Sequence, residues 1–492
     1  MNKKFYLFLC ITFLYITEVT FSATPLYVIK HGTNKEIYPV DSSKIFSTIQ
    51  DALTHVDDGG IIYITKGIYQ ENITITKSVT LIGEGETPET GASKKSPTLH
   101  GGASSTVATV TIGGTKDTIQ VTLRNLNITK GLSGINVLSN AKVTIKNNTI
   151  SQYQKNGITF GPLLFDGYGG ITGTITNNSI QGNGKQNIFS QNGIQISEDN
   201  QATISNNNIS NHIFFGTTSI WATGILVHHT KNVFIVNNTL ENNQAGINIK
   251  QASKTTIANN FILGNMLTKA GIMVSDYNDK TYPAIENTIK GNTILGGLVG
   301  IWTSYTSNNT YIKNKISNTI ENAFYSWESN NNTFSYNTIS YTTPPVNESY
   351  AIEITGEKIG SSNTTITNNS IKNNTNSLMV SQNSQNTILA ENTFTHIATS
   401  TKLTENKNQG KGVVLGVSTV TFTEDLIKGN SGASVKALQK RLIKEGFLKT
   451  EATGYFGHAT EEALLLWQKK HAILETGIFE KKSRDILNTS QE

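Results

Sequence analysis

Charge is scarce in this sequence. Asp, Glu, Lys and Arg together make up 15% of its 492 residues, against about a quarter in an ordinary globular chain. Asn, Thr, Ser and Ile fill the gap, not Pro or Gly linkers, and that composition is too rich in β-branched residues for disorder. Arginine is limited to Arg124, Arg441 and Arg484. The net charge of +5 is spread without a basic run, which gives no support to nucleic acid or the membrane surface as partners. The one cysteine, Cys10, sits in the first segment. That segment, 1–23, reads as a secretory signal: Lys3 and Lys4, an apolar stretch from Phe5 to Tyr15, then Thr20, Ser22 and Ala23 ahead of a cut after Ser22 or Ala23. Leu9 is too large for lipoprotein-type processing at Cys10, so the mature chain is expected to lack thiols. No later segment is long and apolar enough to span a bilayer.

What the chain does contain is a repeat. An apolar residue is followed three places later by Asn and two places after that by another apolar residue. The unit reads Ile145–Asn148–Ile150, Ile175–Asn178–Ile180, Ile204–Asn207–Ile209 and Ile235–Asn238–Leu240, and it recurs at Asn260, Asn292, Asn314, Asn337, Asn369 and Asn392. Between these lies a small residue followed by alternating apolar positions, as in Gly134-Ile135-Asn136-Val137 and Gly193-Ile194-Gln195-Ile196. Gly157, Gly224, Gly246, Gly271 and Gly300 open equivalent stretches, with Ala323, Ala351 and Ser377 in the later places. Successive asparagines stand 22 to 32 residues apart. Period-2 alternation within each piece predicts strands. A unit this short cannot bury its apolar face alone, so the repeats must stack, Ile above Ile inside and Asn above Asn at one bend. At this length at least two structural units are expected.

The segment before the repeat has Ile45, Ile49, Leu53 and Val56 on one helix face. The turn Asp57-Asp58-Gly59-Gly60 and the strand Ile61-Ile62-Tyr63-Ile64 follow, then Gly67-Ile68-Tyr69-Gln70-Glu71-Asn72-Ile73 and Leu81-Ile82-Gly83-Glu84-Gly85. With the repeat, residues roughly 45–395 resemble the capped right-handed parallel β-helices of the pectate-lyase-like superfamily, close to the NosD-like repeat class, within a β-helix unit drawn at 24–422. The resemblance implies an all-β solenoid with an N-terminal helical cap, and it says little of activity, since one fold hosts many chemistries. Signatures of the hydrolase, lyase and epimerase branches are missing from the repeat region, so whether the solenoid is an enzyme is left open, as is calcium. No cofactor is required by any motif.

Interruptions of the repeat point to function. The distance from the small residue to the next ladder Asn is normally 14, but it is 21 from Gly157 to Asn178 and from Gly271 to Asn292. The first insertion holds Asp166 and Tyr168; the second holds Asp276, Tyr277 and Asp279. Just after the Gly-Ile strands come Glu198 and Asp199, then His228 and His229, then Lys250 and Gln251. Fixed register should bring Asp166, Glu198, Asp199, His228, His229, Asp276 and Asp279 to one side, a set able to do acid–base work on a sugar. Tyr168, Phe215, Trp221, Lys250 and Tyr277 are the candidates for carbohydrate contact. No tight ligand spacing names a metal site.

From Leu426 onward the apolar period becomes helical, with Val435, Leu438, Leu442 and Ile443 on one face and Ala463, Leu464 and Trp467 on another. The residues Gly432, Gln439, Gly454-Tyr455-Phe456-Gly457, Thr460, Trp467-Gln468 and Thr476-Gly477-Ile478 make 423–492 resemble the three-helix peptidoglycan-binding domains. That resemblance implies peptidoglycan as a partner, with Tyr455, Phe456 and Thr460 nearest the ligand. Together the parts suggest a secreted or periplasmic, cell-wall-associated protein whose solenoid recognises polysaccharide. The alternatives are a lyase, hydrolase or epimerase, and a non-enzymatic surface rod or adhesin.

Overall fold

The structure is a computed structural model that describes residues 25–30, 41–85, 96–102, 106–161, 169–216, 220–276, 283–341, 350–357, 360–374, 376–381, 383–395, 402–403, 414–415 and 422–489. The segment read as a signal, 1–23, lies outside the described residues.

Three sheets, of 16, 13 and 13 strands, share one winding, and every strand pairing within them is parallel. One coil shows the pattern: Ala141–Lys146 lies in the first sheet, Thr149–Ser151 in the second and Asn156–Phe160 in the third. The chain then returns to the first sheet at Ile171–Thr176, directly beside Ala141–Lys146. Parallel crossovers of this kind take the right-handed sense. Register is kept from coil to coil, so Ile145 meets Ile175, Ile150 meets Ile180 and Ile158 meets Ile194. These columns fill one continuous buried core from Leu26 to Leu389. Each enclosed Ile contributes roughly 1.5–3 kcal/mol of hydrophobic stabilisation.

The bend between the first and second sheets explains the Asn-Asn dipeptides. Asn147, Asn177, Asn206, Asn237, Asn259 and Asn368 take the left-handed conformation, with φ between 55° and 58°, which Asn tolerates better than most side chains. The following Asn turns inward. Asn178 Oδ1 accepts from the backbone N–H and the Nδ2 of Asn148, at 2.9 and 3.1 Å, and the same exchange links Asn207 to Asn238 and Asn337 to Asn369. The ladder thus satisfies backbone donors that no strand can reach. A second ladder runs at the bend from the third to the first sheet, where Asn287, Asn309 and Asn332 accept from the backbone N–H of Thr255, Asn287 and Asn309.

The glycines at the bend into the third sheet are required by close approach. A Cβ on Gly134, Gly157, Gly193, Gly224, Gly246, Gly271 or Gly300 would stand 2.4 to 2.8 Å from a carbonyl oxygen of the next coil. At the first end, helix α1 (Ile49–His55) buries Ile49, Ala52 and Leu53. Glu71 accepts from the N–H groups of Ile49 and Gln50, both at 2.9 Å, which places a carboxylate at the positive end of the helix.

The C-terminal unit has helices α2 (Ala433–Lys444), α3 (His458–Lys470) and α4 (Lys481–Thr489) around a separate core that includes Leu438, Phe456, Trp467 and Phe479. Two buried glutamines hold its turns. Gln439 accepts from Gly454 N and donates to Tyr455 O, both at 2.8 Å. Gln468 accepts from Gly477 N at 3.0 Å and donates to Ile478 O at 2.8 Å. No helix among the described residues is long and apolar enough to cross a membrane.

Candidate functional site on the outer face of the third sheet

In each strand of the third sheet, the residues flanking the inward apolar positions point outward. Register therefore builds one outer column from Gln195, Leu226, Asn248, Met273, Trp302, Tyr325 and Glu353. A second column, two residues along each strand, runs Ser197, His228, Lys250, Ser275, Ser304, Trp327 and Thr355. One residue farther, at the bend, Glu198, His229, Gln251, Tyr305 and Glu328 take the left-handed conformation.

Aromatic rings gather on this face. Trp221, which precedes the strand Thr223–His228, lies 5.6 Å from Trp302 at 59°; Trp302 meets Tyr325 edge-on at 5.4 Å; Tyr325 stacks on Trp327 at 6.2 Å. All four are half-buried. Glu353 stands next to Tyr325 in its column and accepts from Asn322 Nδ2 at 3.1 Å. Burial raises the Glu353 carboxyl above its ordinary range; the Asn322 bond opposes that shift and the charge of Glu321 adds to it. Burial also raises the Tyr325 phenol, helped by Glu353, Glu357 and Glu321.

Two to four rungs from Trp302 lies a second group. His228 and His229 stack with ring centroids 3.7 Å apart, and His229 Nδ1 lies 3.4 Å from Glu198 Oε1. Lys250 is the partner of His228 on the next rung. Burial pushes His228 down to about 4; the charges of His229 and Lys250 push the same way, and a hydrogen bond to Gln251 opposes them. Burial likewise lowers the Lys250 ammonium. A neutral imidazole and a second imidazole oriented by a carboxylate can accept protons or bind cations.

The sequence expectations meet this geometry unevenly. Glu198, His228, His229 and Lys250 come together, and Trp221 joins the aromatic row. Asp199 follows Glu198 at the bend, its N–H donating to His229 O at 2.9 Å. Asp276 shares the bend column and is 6% exposed, accepting from Ala284 N at 3.2 Å. Phe215 lies elsewhere, with Lys185 Nζ 5.3 Å above its ring. Asp166, Tyr168, Tyr277 and Asp279 lie outside the described residues. In the C-terminal unit Tyr455 is 57% exposed, whereas Phe456 is a core residue and Thr460 is buried on Gln439 Nε2. The expectation of ligand contact by Phe456 and Thr460 is corrected accordingly: both side chains face the domain interior, leaving Tyr455 alone of the three at the surface.

Sequence reasoning passed over Trp302, Tyr325, Trp327 and Glu353. The signal was present, since each occupies an outward place in the alternation that begins at Gly300, Ala323 or Ala351.

The right handed beta helix region family model matches residues 163–339 and 268–409, and the peptidoglycan binding domain model matches 431–487. Among solved structures, pre-mature gene product 12 of bacteriophage phi29 is 12% identical with a TM-score of 0.54, the match covering 72% of this chain and 54% of that one. The A-module of the mannuronan C-5 epimerase AlgE6 of Azotobacter vinelandii is 14% identical, with a TM-score of 0.45 and coverage of 76% and 92%. DFA-IIIase from Arthrobacter chlorophenolicus A6 is 14% identical, with a TM-score of 0.42 and coverage of 68% and 83%. At such identities a likeness speaks to fold alone. No curated protein matches the chain in sequence. The β-helix matches together span half of the 492 residues, and with the stacked coils, the Asn ladder and the three long parallel sheets they establish that this chain belongs to the right-handed β-helix family and carries a peptidoglycan-binding-type domain behind the solenoid.

Proposed function

We propose that this is an exported, cell-wall-associated protein whose solenoid binds polysaccharide on the outer face of the third sheet while its C-terminal domain holds peptidoglycan. The observation that carries the reading is the row Trp221, Trp302, Tyr325 and Trp327 on a rigid face. Half-buried aromatic rings offer flat apolar surfaces at low entropic cost, and sugar rings present matching C–H faces. Gln195, Asn248 and Glu353, in the same column as Trp302 and Tyr325, supply hydrogen-bonding groups for hydroxyls. The Lys3–Ala23 segment supports the reading of export, and the peptidoglycan-binding-type domain that of association with the cell wall.

The test is binding of the full chain to a panel of soluble polysaccharides by calorimetry and to insoluble peptidoglycan by co-sedimentation. Trp302→Ala and Trp327→Ala should each weaken glycan binding at least tenfold, about 1.4 kcal/mol, and leave co-sedimentation with peptidoglycan unchanged. A glycan bound equally well by the wild type and both variants would refute the placement of the site. Retention of peptidoglycan binding after deletion of 423–492 would refute the assignment of that partner to the C-terminal domain.

A further inference from the structure

We infer that Glu198, His228 and His229 form a divalent transition-metal site, of the Zn2+ class, at the edge of the outer face of the third sheet. One ligand atom from each of the three lies within 4.8 Å of the others. Two come from adjacent residues at the end of the strand Thr223–His228, and the third from the coil before it. The backbone fixes their spacing: Glu198 N–H donates to His228 O at 3.3 Å, and Asp199 N–H donates to His229 O at 2.9 Å. Because the rungs are locked in register over their whole length, the separation of these side chains is a property of the scaffold and not of a loop.

The donor set selects the ion. Two imidazoles and one carboxylate suit Zn2+ and its neighbours, whereas calcium and magnesium take oxygen ligands throughout. Three protein ligands leave a coordination position for water or a ligand atom. The side chains of Glu198 and His229 are 27% and 25% exposed, so an ion can reach them from solvent.

Two features weaken the site and make the inference sharp. The imidazoles are stacked, at 23° between planes, so one ring must turn before both can aim a nitrogen at one ion. Lys250 occupies the rung next to His228 and repels a cation. A metal here would therefore bind more weakly than at a purpose-built tetrahedral site, and removing the lysine charge should tighten it.

The experiment is calorimetric titration of metal-stripped full-length protein with ZnCl2, with CaCl2 as comparator, and a visible absorption spectrum of the Co2+-loaded protein. One equivalent of zinc should bind. His229→Ala and Glu198→Gln should each weaken binding at least tenfold and change the cobalt spectrum, Lys250→Met should strengthen binding several-fold, and excess calcium should not displace zinc. His458→Ala serves as control, because His458 lies 3.4 and 3.2 Å from Glu461 and Glu462 on the C-terminal unit and could bind zinc at the surface. Glu198→Gln preserves size at a half-exposed bend, so it separates ligand loss from misfolding, with the thermal transition as the check. Absence of zinc binding, or binding removed by His458→Ala and indifferent to His229→Ala and Glu198→Gln, would overturn the inference.

Discussion

Replacing Asn238 by alanine tests the ladder where its bonds can be counted. Asn238 is 1% exposed. Its Oδ1 accepts from the N–H and the Nδ2 of Asn207, both at 2.9 Å, and its Nδ2 donates to Ile204 O at 2.9 Å, to Asn260 Oδ1 at 3.0 Å and to Val236 O at 3.1 Å. Val236 O also accepts from the Asn206 N–H, a bond it keeps. Asn207 Nδ2 keeps Ile175 O, and Asn260 Oδ1 keeps the backbone N–H of residue 238. The buried groups deprived of the ladder amide are therefore the Asn207 N–H and the Ile204 carbonyl. At about 1–3 kcal/mol for each, the expected loss is about 2–6 kcal/mol. Urea unfolding monitored by circular dichroism gives the total, and hydrogen exchange shows where it falls. The loss should centre on the coils holding Asn207, Asn238 and Asn260, because a solenoid is stabilised by nearest-neighbour contacts. Lys142→Ala, on an exposed outward position of the first sheet, should change stability by less than about 0.5 kcal/mol. An Asn238→Ala protein within about 1 kcal/mol of wild type, with unchanged exchange at those coils, would refute the ladder as a source of stability.

Acid should also destabilise the solenoid. His212 is fully buried, with Tyr153 OH 2.5 Å from its Nε2 and Asn243 Oδ1 2.7 Å from its Nδ1, and burial pushes it down to about 4 against the bond to Asn243. The folded form thus refuses a proton that the unfolded chain takes up near pH 6.5. Stability is full above that value and falls as pH drops toward 4, by about 3 kcal/mol at ~1.4 kcal/mol per unit. His228 adds in the same direction. His212→Gln should flatten the dependence measured by thermal melts between pH 7 and 4; an unaltered slope would contradict the assignment. In the C-terminal unit, Gln439→Leu removes the partners of Gly454 N and Tyr455 O and should lower that domain's transition by roughly 10 °C or more, since ~1 kcal/mol moves a domain this small by about 4–8 °C. Calorimetry of the full chain reads it directly, and a shift of under about 3 °C would show the glutamine clamp to be dispensable.

The course of the solenoid was legible because each structural need falls on a residue type at a fixed interval. Inward Ile, left-handed Asn, ladder Asn and corner Gly all recur in phase. The second ladder went unread although Asn287, Asn309 and Asn332 each precede a ladder Asn by five places, because Thr255, Thr364 and Thr387 hold that place in other coils. Register also brought Glu198 beside His228 and His229, which pure spacing along the chain had left apart by about thirty residues. Asp276 shows that a polar residue in the right column need not be exposed: it is buried and accepts from the Ala284 N–H. The aromatic row sits on outward residues of the strands, away from the interruptions of the repeat at the bends.

Strict register has a consequence for how such a surface can be altered. Every outward side chain has an address, given by its coil and its column, and neighbouring addresses are about 4.8 Å apart along the rod. Writing His-His in place of Lys250-Gln251 would transpose the imidazole pair by one coil without asking the core to repack, since Ile247 and Ile249 beneath would stay where they are. Chemistry on this rod is thus portable in whole steps: interior letters specify that a coil exists, and exterior letters specify what is written on it.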